Sequence, residues 1–249
     1  MICVTLEVRL MSMDPFTPQQ PAWISASTAE TESRVRAFIR GTYGWMFGGL
    51  LLTTLAALWV VGSPAMQAVV LGNPIVMIGL IVVELGIVFF LSLRIMKMTA
   101  ATAASAFLVY SFLNGLTLSV IFWAYSRASI GGAFLTAAGM FGAMALYGLV
   151  TKRDLTSLGS FFFMGLIGII LCAVVNFFLH SSGLSFVISI LGVFIFLGLT
   201  AFDNQKLKAM ATVAGPIQEN LSIIGALRLY LDFINLFLFI LRLFGNRRQ

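Results

Sequence analysis

Charged residues are scarce in this chain, and their scarcity excludes most classes of soluble protein. Of the 249 residues, 10% are charged and 60% are hydrophobic, whereas a soluble domain carries about 25% charged residues because water must solvate its surface. Most of the surface must therefore face something other than water. The 23 Phe and 23 Gly residues fit this conclusion, since Phe suits lipid contact and Gly lets helices approach closely in a membrane.

Cysteine and histidine are also nearly absent, which limits disulfide and metal chemistry. The two cysteines, Cys3 and Cys172, are far apart in the chain, and Cys172 lies within an apolar run. They therefore provide neither a disulfide framework nor a metal cluster. The single histidine, His180, ends another apolar run, so a histidine-rich metal site is excluded as well.

Seven apolar runs predict an all-α, polytopic membrane protein with seven transmembrane helices. Each run is about 20 residues long, and at a rise of 1.5 Å per residue each can cross a hydrocarbon core of about 30 Å. Barrel strands would instead alternate in polarity over about ten residues, and these runs do not. The predicted segments are 42–62, 74–95, 101–123, 131–150, 158–179, 184–203 and 223–243.

The polar N-terminal region precedes the first run. Residues 14–22 are rich in Pro and Gln, and such a composition does not fold by itself. We therefore predict a disordered tail over residues 1–30 and a transmembrane domain over residues 31–249. Within the lead-in to that domain, residues 28–40 are typical of an amphipathic helix at the membrane surface. No secretory signal is predicted, because the first apolar run is too long for one.

The positive charges are distributed asymmetrically between alternate loops. Although the net charge is +6, the basic residues occur singly or in pairs between apolar runs, which indicates topology signals and no nucleic-acid surface. One set of loops holds only Arg127, so the N-terminus is predicted to be cytoplasmic. The C-terminal Arg247 and Arg248 oppose seven crossings, although full crossing by the last segment is favoured. The other set comprises Arg34, Arg36, Arg40, Arg94, Lys97, Lys152, Arg153, Lys206 and Lys208.

Ionisable residues inside the apolar runs are the candidate functional residues. A charge at the bilayer centre costs about 2.5–3.5 kcal/mol on insertion scales, so each acid or base at such a position is a functional candidate. Glu84 lies about 15 Å beyond Pro74 and near the middle of the second helix. A protonated carboxyl bonded to a neighbouring helix and an ion or proton ligand are both consistent with this position. Arg94, at the cytoplasmic end of the same helix, is typical of a snorkelling side chain.

Two aspartates in the last two segments are predicted to be neighbours. Asp203 ends the sixth run, where an acid on the last turn opposes the helix macrodipole. Asp232 lies about 10–16 Å beyond the start of the seventh run, and the connector returns on the same side, so both acids can share one depth. Two poorly solvated carboxyl groups share a proton, which would form a pH-sensitive latch. Alternatively, each aspartate is simply paired with an arginine.

The seventh segment carries further polar residues at helical spacing. Arg228 lies four residues before Asp232, Asn235 lies three residues after it, and Arg242 continues the same face. This predicted polar line within an apolar segment places the seventh helix in the interior of the bundle. Two other polar residues, Asn114 and Asn176, are predicted to form interhelical hydrogen bonds.

Five sequence motifs are distinctive: LYLDFINLF at 229–237, LRLFG at 241–245, TAFDNQKLK at 200–208, GMFGAMALYG at 139–148 and TKRDL at 151–155. In this order and spacing they resemble the Bax inhibitor-1 family, and the last two resemble its bacterial inner-membrane branch in particular. The resemblance covers roughly residues 30–248. Two positions depart from the sixth-helix pattern: Phe202 stands where Tyr is usual and Asn204 where Thr is common.

The resemblance implies a seven-helix fold with the last helix central and a pH-dependent calcium leak across the bacterial inner membrane. It implies that Asp203 and Asp232 are the pH-sensing pair and contact calcium, and it maps the family's second-helix glutamate and last-helix arginine onto Glu84 and Arg242. The family's second-helix arginine has no unambiguous match, because Arg94 and Lys97 both lie near that position.

Three functions compete at this point. The first is a calcium leak gated by the aspartate pair, in which calcium is a permeant ion and no cofactor is needed. The second is a non-conducting protein that modulates membrane quality-control machinery through membrane protein partners. The third, an intramembrane aspartyl protease, is disfavoured because the glycines of its Gly-x-Gly-Asp motif are missing before Asp203 and Asp232. We therefore predict no enzymatic activity, with the lipid bilayer and calcium as partners.

Overall fold

The structure, a computed structural model, describes residues 22–94, 97–213 and 218–246. Those residues form helices joined by short connectors, with no strand among them. In chain order the helices are α1 (Ala22–Gly62), α2 (Pro64–Val70), α3 (Pro74–Arg94), α4 (Ala100–Leu118), α5 (Ile121–Ala124), α6 (Arg127–Val150), α7 (Thr156–Leu179), α8 (Ser182–Val213) and α9 (Gln218–Phe244).

Among the described residues, seven helical stretches are long and apolar enough to cross a membrane. They are α1, α3, α4 together with the short α5, α6, α7, α8 and α9. The predicted all-α, seven-helix membrane protein is therefore confirmed. Short connectors join the first six segments, and each crossing helix after the first runs antiparallel to the one before it.

The helices extend beyond several of the predicted segments. α1 begins at Ala22, although the first run was predicted from residue 42, and α8 ends at Val213, although the sixth was predicted to end at 203. The apolar runs mark only the part of each helix that faces hydrocarbon. Lys, Gln, Glu, Arg, Met and Ala are good helix formers, so the helices continue into the flanking polar sequence.

The predicted N-terminal tail falls largely outside the described part of the chain. Residues 1–21 are not among the described residues. Residues 22–30, which were assigned to the same disordered tail, belong instead to the first turns of α1. The predicted surface helix over 28–40 is likewise part of α1, continuous with its membrane-crossing portion.

Local capping explains where several helices begin and end. The Ser63 side chain accepts a hydrogen bond from the Met66 amide (3.4 Å) and is followed by proline, a favoured first residue of a helix. Thr99 and Ser126 cap α4 and α6 in the same way, each at 3.2 Å. His180, with φ of 51°, ends α7 in the left-handed conformation, so this lone histidine lies at a helix end.

The seventh crossing helix, α9, occupies the centre of the bundle. It packs against α1, α4, α6 and α8, and most of its residues are buried. α7, by contrast, lies on the outside and packs chiefly against α8. The predicted central position of the last helix is confirmed.

Two glycines allow the surrounding helices to approach one another closely. At Gly115 on α4, a Cβ atom would collide with the backbone carbonyl of Thr53 on α1. At Gly148 on α6, it would collide with the carbonyl of Ala201 on α8. Such contacts between backbones are typical of membrane bundles. The second contact fixes α8 two residues before Asp203.

A buried aspartate pair and a glutamate network as the candidate functional site

Asp203 and Asp232 lie well inside antiparallel, neighbouring helices. Asp203 precedes the end of α8 at Val213 by ten residues, and Asp232 follows the start of α9 at Gln218 by fourteen. At 1.5 Å per residue these are about 15 and 21 Å. The predicted position of Asp203 on the last turn of its helix is therefore wrong, and the opposing macrodipole, which acts within the last turn, does not apply to it.

The two aspartate carboxyl groups are near neighbours on adjacent helices. Asp232 is 5% exposed, and its Oδ2 atom receives no hydrogen bond from a donor among the described residues. Carboxylate oxygens can only accept hydrogen bonds, so a hydrogen bond between the two groups would require a proton on one of them. The arrangement can hold one shared proton between α8 and α9.

Arg228 neutralises the remaining charge of this pair. Its Nη1 atom lies 3.7 Å from Oδ1 of Asp203, and its side chain is 43% exposed whereas that of Asp203 is 14% exposed. Arg228 was predicted to share a helix face with Asp232, but its ion pair is formed with Asp203 on the neighbouring helix. With one proton bound, the two acids and one base sum to zero charge, which reduces the cost of burying them.

Asn204, the residue after Asp203, connects α8 to α1. It is buried, accepts a 2.5 Å hydrogen bond from the Tyr43 hydroxyl, and donates a 2.7 Å bond to the Thr200 carbonyl. From the sequence, Asn204 was only a departure from the family pattern, with no predicted role. Its position beside Asp203 in the chain was the available signal.

The predicted polar line along α9 does not form a continuous interior stripe. Asn235 donates to the Leu231 carbonyl of its own helix at 2.8 Å. Arg242 is exposed, with its guanidinium carbon 5.7 Å from the centre of the Phe239 ring. Long arginine side chains near helix ends reach outward and leave their stems on apolar surface. Asp232 is therefore the one charged member of the predicted line that lies buried.

The two candidate basic residues at the end of α3 and just beyond it form no ion pair with the aspartates among the described residues. Arg94 is exposed at the end of α3, and among the described residues the ion pairs are Arg36 with Glu32 and Arg228 with Asp203. Lys97 is also exposed. The position of Arg94 agrees with the snorkelling interpretation.

Glu84 is the centre of a second buried polar cluster. It is 8% exposed; its Oε2 accepts from Asn114 Nδ2 at 3.1 Å and its Oε1 from the Thr117 hydroxyl at 3.0 Å. The Tyr230 hydroxyl donates to Asn114 Oδ1 at 3.0 Å and lies 2.6 Å from the Thr53 hydroxyl. We call these five residues the Glu84 network; they connect α3, α4, α9 and α1.

The hydrogen bonds of the Glu84 network are oriented towards the glutamate. Asn114 and Thr117 both donate to Glu84, and Tyr230 donates to Asn114. Successive bonds that point the same way polarise one another and favour the acceptor at the end of the chain. This confirms Asn114 as an interhelical partner, whereas Asn176 accepts a bond from the Ser181 amide (3.1 Å) in the following loop. The prediction for Asn176 was wrong.

Tyr230 was missed because nothing in its local sequence distinguishes it. Tyr is common in membrane helices near the interface, and its role appears only where α9 meets α1 and α4. It is fully buried, and its ring packs edge-to-face on Phe107 and Tyr110, with centroids 5.9 and 5.7 Å away.

The aspartate pair does not by itself provide a resident calcium site. Calcium takes six to eight oxygen ligands, whereas this site offers two carboxyl groups with a guanidinium 3.7 Å from one of them. In the part of the chain that the structure describes, no three His, Cys, Asp or Glu residues are close enough to hold a metal ion.

Comparison with known proteins identifies the family. The family model described as inhibitor of apoptosis-promoting Bax1 matches residues 35–249. The chain is 47% identical over 228 residues to inner membrane protein YbhL of Escherichia coli K12, covering 90% of this chain and 97% of that protein. It is 42% identical over 230 residues to an uncharacterized protein of Deinococcus radiodurans, covering 91% and 97%.

A third relative is more distant but shares the membrane character. An uncharacterized membrane protein of Streptococcus pyogenes serotype M1 is 41% identical over 180 residues, covering 72% of this chain and 78% of that protein. The family match covers most of the chain and coincides with the seven-helix bundle. The chain therefore belongs to the Bax inhibitor-1 family of multi-pass membrane proteins.

Proposed function

We propose that this protein is a pH-sensitive cation leak channel of the bacterial inner membrane, with calcium as a permeant ion and no enzymatic role. The observation that carries the proposal is the placement of two acids on neighbouring helices of an apolar bundle. Asp203 is ion-paired with Arg228 at 3.7 Å, and Asp232 is buried, with an Oδ2 atom that receives no hydrogen bond among the described residues. Ionisable groups at such positions mark ion and proton pathways. The name of the Escherichia coli relative supports the inner membrane, and the loop charges support a cytoplasmic N-terminus.

The shared proton would act as the gate. With one proton bound, the pair is hydrogen-bonded, Arg228 balances its remaining charge, and α8 and α9 stay together. Loss of that proton leaves two adjacent negative charges, which repel each other and attract a cation. Raising the pH therefore weakens the α8–α9 contact and favours cation entry. The leak is expected to increase with pH.

Glu84 would provide a second carboxyl position on the pathway. It lies on α3, which packs chiefly against α4, and is oriented by donors from α4. A cation that must lose part of its hydration shell benefits from carboxylate oxygens at more than one depth. The Glu84 network and the aspartate pair are linked through α9, which contributes both Tyr230 and Asp232.

The test is calcium flux into proteoliposomes across a series of pH values, for the wild type and for Asp232→Asn. The asparagine amide can donate to Asp203 as the shared proton does, but it cannot ionise. We expect the wild-type flux to rise several-fold from mildly acidic to mildly alkaline pH and the flux of the variant to stay low.

A matched control is Asp154→Asn, which removes one acid from the loop before α7. Asp154 is exposed, and its carboxyl accepts hydrogen bonds from Thr156 rather than from the aspartate pair, so this variant should keep the wild-type pH profile. Identical profiles for the wild type and Asp232→Asn, or an absence of calcium flux from the wild type at every pH, would refute the gate. Size-exclusion profiles and helical circular dichroism establish that each variant is folded.

The exposed start of α1 favours a second candidate function, a non-conducting protein that modulates membrane quality-control machinery. Glu30, Glu32, Arg34 and Arg36 lie exposed on a helix that continues into the first crossing, which suits a protein partner outside the hydrocarbon. This function predicts specific co-purification of membrane proteases or chaperones. Replacing these four charges by Ser would abolish that co-purification and leave liposome flux unchanged.

A further inference from the structure

A cavity of about 250 Å³ lies between α1, α6 and α9, on the side where α4 and α5 meet. Its wall is almost entirely apolar, and Thr53 and Thr54 are the hydroxyl-bearing exceptions. Its apolar wall includes the aromatic and branched side chains of Leu50, Ile130, Phe134, Phe233, Ile234 and Phe237. Neither the aspartate pair nor Glu84 lines it.

The cavity opens sideways onto the membrane-facing surface. Three of its lining residues, Thr54 on α1 and Gly131 and Phe134 on α6, are exposed, whereas Thr53 and Phe237 at its inner end are each 5% exposed. α1, α6 and α9 are all membrane-crossing helices, and Phe134 at the opening lies seven residues, or about 10 Å, into α6. The opening therefore faces the part of the hydrocarbon near one membrane surface. The compartment that reaches it is therefore made of lipid chains.

An apolar cavity of this size excludes water and accepts a hydrocarbon guest. Even an engineered cavity of about 150 Å³ lined by Leu, Ile and Phe stays dry and binds benzene, because water there lacks hydrogen-bond partners. We propose that this cavity is a binding site for one acyl chain of a bilayer phospholipid, which enters between α1 and α6.

Gly131 and Phe134 define the entrance. A Cβ atom added at Gly131 meets nothing within 4 Å, so the glycine leaves the entrance open. Phe134 stands beside it, with its ring edge-to-face on Phe233 and Phe237 at centroid distances of 5.3 and 6.2 Å. An acyl chain that passes Phe134 reaches Thr53, which also belongs to the Glu84 network.

The test uses tryptophan fluorescence in vesicles of phosphatidylcholine brominated along its acyl chains. The four native tryptophans are replaced by phenylalanine, and Phe237→Trp places a reporter at the buried inner end of the cavity. Bromine quenches only on close approach, so this reporter detects a chain inside the cavity. Phe134→Trp, at the exposed entrance, establishes quenching by the surrounding bilayer.

Gly131→Leu fills the entrance, and Gly132→Leu is its matched control. Gly132 lies at the same depth, also has no atom within 4 Å of an added Cβ, and does not line the cavity. We expect strong quenching of the Phe237→Trp reporter. Gly131→Leu should reduce that quenching several-fold, and Gly132→Leu should leave it unchanged.

Two outcomes overturn the proposal: an unquenched Phe237→Trp reporter, or equal quenching with both leucine variants. Ile234→Trp serves as a second buried reporter, with the position 7% exposed in the wild type, should the first variant fail to fold. Helical circular dichroism and thermal unfolding of every variant verify the fold, so a loss of quenching is assigned to the cavity.

Discussion

α7 and α9 are crossing helices of similar length, 24 and 27 residues, in opposite environments. In the most apolar 18-residue stretch of each, 6% of α7 is buried against 78% of α9. α7 contains no acidic or basic residue, whereas α9 contains Glu219, Arg228, Asp232 and Arg242. Of these two crossing helices, the one that carries ionisable groups is therefore the interior one.

The difference follows from what surrounds each helix. Lipid solvates Leu and Phe as well as a protein core does, so apolar side chains gain little by moving inward. A polar side chain has no partner in hydrocarbon and finds one only on a neighbouring helix. Tyr230 and Asp232 are therefore placed at the centre, and the apolar surface of α7 is left to the bilayer.

The largest effect is expected when matched leucines on the two helices are truncated. Leu236 on α9 is fully buried and Leu171 on α7 is 61% exposed. Leu236→Ala removes packing that lipid cannot replace and should lower the free energy of unfolding by about 2–4 kcal/mol. Leu171→Ala should leave it nearly unchanged, because a lipid chain fills the space. Equilibrium unfolding by SDS in mixed micelles measures both, and equal losses would contradict the comparison.

A smaller effect is expected from one hydroxyl of the central helix. Tyr230→Phe keeps the ring contacts but leaves the oxygen of Asn114 without its donor. The expected loss in the free energy of unfolding is about 1 kcal/mol. Tyr147→Phe, on the membrane-facing side of α6 with the side chain 44% exposed, provides the control and should cause no loss. The same SDS titration distinguishes them, and a neutral Tyr230→Phe would show that the Glu84 network contributes nothing to stability.

The smallest effect is expected on the pKa of Asp154, just before the start of the peripheral helix α7, where the hydrogen bonds are local. Asp154 Oδ1 accepts hydrogen bonds from the Thr156 hydroxyl (2.6 Å) and amide (2.9 Å), and these lower the pKa of Asp154, the hydroxyl bond most. Because the folded-state pKa is lowered, the stabilisation is present above the ordinary pKa and is lost as the pH falls through the lowered pKa.

Thr156→Val removes the hydroxyl and should move the pKa of Asp154 back towards its ordinary value, as measured by NMR titration of labelled aspartate carboxyls in micelles. Thr136→Val is the control, since the Thr136 hydroxyl bonds within α6 to the Gly132 carbonyl. An Asp154 pKa that does not respond to Thr156→Val would show that the Thr156 hydroxyl does not bond to Asp154 in the folded protein.

The sequence was most informative where one physical demand dominates. Hydrocarbon requires apolar residues over a fixed length, so the seven crossings could be predicted, and a buried acid is costly enough to single out Glu84, Asp203 and Asp232. Helix ends were less predictable: α8 continues ten residues past Asp203 because flanking polar residues also favour helix. The bases of α9 were predicted to share a face with Asp232, yet Arg228 pairs with Asp203 of the neighbouring helix and Arg242 lies exposed over the Phe239 ring.

The amino-acid sequence by itself determined that the chain is a seven-helix membrane protein, that its last helix is interior, and that two aspartates share a depth, because each follows from transfer to hydrocarbon and from helical periodicity. Only the tertiary structure decided that Arg228 pairs with Asp203, that Tyr230 is connected to Glu84 through Asn114, and that a cavity opens between α1 and α6. Those contacts join residues far apart in sequence, and they depend on which helix faces meet.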